Sequence, residues 1–148
     1  MTKLVPLDPE SQLGYQLVRV ADQVSRIWHR ALRTHNINPR QFSVLALLAH
    51  DPGLSQGELA RRVMVTPQSM SELLVSLRDD GLIKRDAPAP GRAAQVQLTA
   101  SGRRLLGKAY PVVEESNSEA FAVLSDTEYA ELARICKKLL SQPPRTLT

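Results

Sequence analysis

The chain has a single cysteine, Cys136, and aromatic residues make up only 4% of its 148 positions. One cysteine excludes an intrachain disulfide framework and fits a reducing compartment. With so few rings, the core has to be built from Leu, Val, Ile and Ala. Long apolar runs are missing too. The longest, residues 44–49, falls far short of the ~20 residues that span a bilayer. The apolar stretch after Lys3 is cut by Pro6 and Asp8, too soon for a signal-peptide core. His29, His35 and His50 are not spaced to share a helical face, and no HExxH, cysteine cluster, P-loop or GxGxxG is present. Serines have no evident His and Asp partners. These absences exclude the familiar metal, nucleotide and triad enzymes. They predict a soluble, cytoplasmic protein that needs no cofactor and binds rather than catalyses.

What is present is enough for one folded unit. Hydrophobic residues make up 43% and charged residues 23%. A chain of this length buries about 70% of its unfolded surface, so it folds without a staple. The net charge is +4, and residues 61–104 alone hold eight basic and four acidic residues. A basic middle segment points to nucleic acid, although charge alone also fits an ordinary solvated surface.

Periodicity then orders the chain. Leu13, Leu17, Val20, Val24, Ile27 and Ala31 alternate by four and three, the seam of a long helix over residues 11–34. A seam this regular predicts packing against other long helices, including those of a second subunit. Asn38-Pro39-Arg40-Gln41 reads as a capped helix start, leading into Phe42, Leu45, Leu48 and Ala49. Ser55 to Glu58 is a second capping box, with Leu59 and Val63 facing inward. Thr66-Pro67 opens a further helix with Met70, Leu73, Leu74 and Leu77 on its apolar side, closed by Gly81. Residues 82–85 and 95–98 read as a hairpin around a proline-rich tip. Thr99 starts a long helix that Pro111 should kink. Ser125 to Glu128 caps a last helix expected to turn Tyr129, Leu132, Ile135, Cys136 and Leu139 inward, Cys136 as a small hydrophobe.

The informative feature is the order of short helix, turn, helix, glycine and hairpin. It predicts a mainly α fold: a winged helix-turn-helix with a small antiparallel wing, between flanking helices. The second helix would offer Gln68, Ser69, Ser71 and Glu72 to base edges, and backbone N–H groups near Thr66 could meet a phosphate, with Ser55 and Pro67 as further DNA-binding candidates. The wing adds Lys84, Arg85 and Arg92, the last suited to a minor groove. The same residues also leave open a winged-helix protein-interaction module that binds no DNA.

Leu59-Ala60, Val65 to Met70, Gly81 to Arg85 and Leu98 to Gly102, in that order, resemble the MarR-type transcriptional regulators. The resemblance covers about residues 10–141. It implies a cytoplasmic homodimer on double-stranded DNA with a near-palindromic operator. Residues 11–34 and 100–141 would then be dimerisation helices and residues 38–99 the DNA-binding lobe. It also implies repression relieved by a small aromatic or phenolic ligand, with Trp28, His29 and Arg30 as candidate lining. No metal is implied. One departure stands out: the family's wing Asp-x-Arg is here Pro90-Gly91-Arg92.

Overall fold

The computed structural model describes residues 5–91 and 94–142. Six α-helices, two short 3-10 helices and one two-stranded sheet are present among them: α1 (Leu13–Leu32), α2 (Pro39–His50), α3 (Gln56–Val63), α4 (Pro67–Asp79), β1 (Ile83–Arg85), β2 (Val96–Leu98), α5 (Ala100–Ala120) and α6 (Asp126–Leu140). The strands pair antiparallel, with Ile83 opposite Leu98 and Arg85 opposite Val96. This is the mainly α winged helix-turn-helix expected from the sequence.

Local chemistry sets most boundaries. Asn38, Ser55 and Ser125 each accept from the backbone N–H three residues on, and Gln41, Glu58 and Glu128 return the bond. Thr66 and Thr99 cap α4 and α5 in the simpler way. α1 ends in a short 3-10 turn, and Asn36 then reverses the chain at φ +55°. α5 runs through Pro111 without a break, so the proline ends no element.

The core lies between the end of α1, α2, α3, α4, the sheet and α5. Leu32, Val44, Leu45, Leu59, Met70, Leu77 and Ala109 are among its most deeply buried residues. Phe42 joins three helices: it meets Trp28 of α1 and Tyr110 of α5 edge-on, at 6.1 and 5.9 Å between ring centroids. The Trp28 indole N–H donates to Asn117 Oδ1 at 3.0 Å, tying α1 to the far half of α5.

The expected burial of α6 is corrected. Tyr129, Ile135, Cys136 and Leu139 are exposed, Leu132 is only partly covered, and α6 has no buried residue. The physical reason is that one copy of the chain brings only the Phe121 ring and the flank of α1 near this face, too little to cover it. The outer half of the α1 seam behaves likewise: Leu13 is 69% exposed, and Leu17 and Val20 stand open.

Candidate nucleic-acid interface

The turn between α3 and α4 positions the site. Met64 closes α3 with φ +59°, its side chain almost wholly exposed, and the Val65 N–H bonds back to the Ala60 carbonyl at 3.0 Å. Thr66 then starts α4: its hydroxyl oxygen accepts from the Ser69 N–H at 3.1 Å, and the two hydroxyls lie 3.0 Å apart. Pro67 fits here because the first helical position needs no N–H. No acid lies in the first turn of α4, so no carboxylate there opposes the attraction of the helix dipole for an anion.

Met70, Leu74 and Leu77 hold α4 to the core, which turns Gln68, Ser69, Ser71 and Glu72 to solvent. Gln68 Nε2 donates to Glu72 Oε1 at 3.4 Å. Ser55 and Glu58 cap α3 alongside. The backbone N–H and then the hydroxyl of Ser55 hold the Glu58 carboxyl below its ordinary value of 4.5, with Arg61 and Arg62 adding to the effect.

Lys84 and Arg85 project from β1 at the root of the wing, both exposed. Beyond the paired residues, the Asp86 N–H bonds the Gln95 carbonyl at 3.0 Å, and Gln97 Nε2 donates to Asp86 Oδ2 at 2.6 Å. Arg92 lies outside the described residues.

A side-chain relay joins wing, α3 and α4. Arg85 Nη2 donates to Gln56 Oε1 at 2.9 Å, and Gln56 Nε2 donates to Ser71 Oγ at 2.7 Å. These residues border a groove between α4 and the wing, with Arg78 and Lys84 on its rim. The sequence reading missed Gln56, Arg78 and the Asp86–Gln97 pair. Only the i, i+4 spacing of Arg78 from Leu74 carries a local signal; Gln56 and Arg85 lie too far apart in the chain for any.

Trp28, His29 and Arg30 are not brought together. Trp28 borders an apolar groove with Leu17, Val24, Tyr129, Leu132 and Cys136. Arg30 lines a neighbouring groove and pairs with Glu119 at 3.4 Å. His29 faces a third, beside Arg40 and Arg62. Among the described residues, no three His, Cys, Asp or Glu side chains converge as metal ligands, and no helix is long and apolar enough to cross a membrane.

Comparison with known proteins gives a uniform result. A family model described as MarR family matches residues 35–93. The HTH-type transcriptional repressor Rv2887 of Mycobacterium tuberculosis is 36% identical over 134 residues, 90% of this chain and 96% of its own. The crystal structure of Rv2887 with salicylic acid superposes with a TM-score of 0.74 at 36% identity, over 87% of this chain and 96% of that one. The structure of Rv2887 with DNA gives 0.71 at 35%, over 87% and 98%.

Proposed function

Since the chain belongs to the MarR family, we propose that it is a cytoplasmic, homodimeric repressor that releases a near-palindromic operator when a small aromatic or phenolic ligand binds. Residues 38–99 form the DNA-binding lobe, and residues 11–34 and 100–141 carry the dimer. The observation that carries this reading is the exposed start of α4, free of acid in its first turn, beside a wing root bearing Lys84 and Arg85.

The parts divide the work. Gln68, Ser69, Ser71 and Glu72 meet base edges in the major groove, which distinguishes all four base pairs. Ser55, Thr66 and Pro67 lie against the backbone, where contacts fix register but carry no sequence. Lys84 and Arg85 neutralise phosphates, and Arg92 serves the minor groove. The exposed apolar faces of α1 and α6 pair about a two-fold axis, which doubles every contact. Rv2887 has been crystallised both with DNA and with salicylic acid. In this chain the groove at Trp28 is the apolar space for a ring. Trp28 packs on Phe42 of α2, so a ring wedged there shifts the lobe against the dimer helices. A ligand that weakens DNA binding must itself bind less tightly when DNA is present.

The test is selection of duplexes about 30 bp long, room for two half-sites a helical turn apart, from a random pool, followed by titration at rising salt and with salicylate. We expect a two-fold symmetric sequence, affinity falling steeply with salt, and release by salicylate or another phenolic acid. Retention of no duplex at low salt would overturn the DNA-binding reading.

A further inference from the structure

Resting on the reading of α4 as the recognition helix and of the wing root as a phosphate contact, we propose that Gln56 positions Arg85 for the DNA backbone, holding its guanidinium by one N–H while leaving its charge and its other donors to a phosphate. Gln56 is a positioning residue here, since it acts on the DNA through Arg85.

Arg85 is the last residue of β1, and it is exposed. A long exposed side chain samples many rotamers unless something holds it. Here Nη2 donates to Gln56 Oε1 at 2.9 Å, between residues 29 positions apart in the chain. Gln56 is half-buried and is itself held from two sides. It is the first residue of α3, directly behind the Ser55 cap that Glu58 completes, so its backbone is fixed. Its Nε2 lies 2.7 Å from Ser71 Oγ of α4. A guanidinium only donates, so the amide oxygen faces Arg85 and the amide nitrogen faces Ser71. That orientation asks nothing of the Ser71 proton, because a hydroxyl oxygen has two lone pairs and the amide takes one. The bridge ties the wing root to both helices of the helix-turn-helix.

The partner of Arg85 is neutral, and the neutrality matters. Arg85 forms no ion pair among the described residues. Acids of the same region are engaged elsewhere: Asp86 accepts from Gln97, Glu58 from the Ser55 N–H, and Glu72 from Gln68. A carboxylate in the place of the Gln56 amide would neutralise the guanidinium and have to be displaced before a phosphate could bind. The amide oxygen instead occupies one of five guanidinium N–H donors and none of the charge. The remaining donors can still meet a phosphate, to which a planar guanidinium is matched. A side chain already held near its bound geometry also loses less freedom on association. Lys84, exposed on the same strand, has no such bridge to Gln56 and serves as the comparison.

The experiment titrates the duplex enriched by the wild type, at several salt concentrations. The proteins are the wild type, Gln56→Ala, Gln56→Glu, Arg85→Ala, Lys84→Ala, and Gln56→Ala combined with each of the last two, every variant checked for an unchanged melting temperature. Gln56→Ala should weaken binding about fivefold per half-site, the scale of a single net hydrogen bond. Its salt slope should stay, because Arg85 keeps its charge. Arg85→Ala should lower the slope by about one per half-site. In the Arg85→Ala background, Gln56→Ala should cost less than about twofold, whereas beside Lys84→Ala it should keep its penalty of about fivefold. A residue that merely supports α3 would cost the same in both backgrounds. Gln56→Glu should lower the salt slope as Arg85→Ala does, because its carboxylate neutralises the guanidinium. The inference is overturned if Gln56→Ala leaves affinity unchanged, if its penalty survives Arg85→Ala, if it lowers the slope as far as Arg85→Ala does, or if Gln56→Glu leaves the slope intact. A wild type that binds its duplex but is indifferent to Arg85→Ala overturns this inference alone. A wild type that enriches no duplex overturns the DNA-binding reading and this inference with it.

Discussion

A methyl group added at Gly102 would land on the Leu82 carbonyl oxygen, with Leu98 Cδ2 only 3.2 Å away. The oxygen is backbone and cannot step aside, because it accepts from the Thr99 N–H at 3.1 Å. Thr99 is fixed in turn: its hydroxyl donates to the Gly81 carbonyl at 2.6 Å and accepts from the Gly102 N–H at 3.0 Å. The wing is thus pinned to α5 through a contact that only glycine permits. Gly102→Ala should destabilise the fold by about 2 kcal/mol or more, as overpacking of a tight site does, read as a lower urea midpoint. Gly107→Ala, with open space around it on the same helix, should be neutral or slightly stabilising. Thr66→Ala removes the cap of α4 and should cost about 1 kcal/mol. At this scale the sequence was readable where chemistry is local, as at Asn38, Ser55, Thr66 and Ser125. It was unreadable where it is not: nothing near Gln56 announces Arg85, and the neighbours Trp28, His29 and Arg30 diverge because each helical step turns the next side chain by about 100°.

Helices α3 and α6 share a titratable start. The Ser55 and Ser125 backbone N–H groups, then their hydroxyls, hold Glu58 and Glu128 below the ordinary carboxylate value of 4.5. A carboxylate whose folded value is depressed stabilises the fold above its unfolded value, and the benefit is lost as pH falls through the folded one. Amide exchange at the first turns of α3 and α6 should therefore speed up as pH drops below about 4.5, beyond the intrinsic change. Glu58→Gln should remove that dependence from α3 alone, since Gln can still accept the bond but does not titrate. The wing offers a second test. Pro90 occupies the place of the family's wing aspartate, and Asp86 with Gln97 instead bridges the two strands beyond their last pair. Asp86→Ala should quicken proteolytic nicking between residues 86 and 97 while the helical signal in circular dichroism stays unchanged. The hairpin itself was legible from its alternation and flanking prolines. The direction in which α6 faces was not, because periodicity marks a helix side as apolar without saying what covers it.

At the scale of the whole molecule, a single copy leaves apolar area open along α1 and α6, with Leu139 55% exposed and Leu13 69%. Burying such surface against a second copy is the economical outcome. Ile135→Asp should yield a monomer in sedimentation at micromolar concentration. Operator affinity should then fall by about a hundredfold or more, because two linked half-site contacts become two separate ones. The bareness of α6 also bears on the life of the chain in the cell. A newly synthesised copy carries a last helix with no buried side chain until it meets a sibling. Encounter rate, and so expression level, then governs how long that helix stays open to proteases, because the stability of an associating chain depends on its concentration. The half-life of the chain in the cell should therefore lengthen as its expression rises, as a pulse-chase at two expression levels would read.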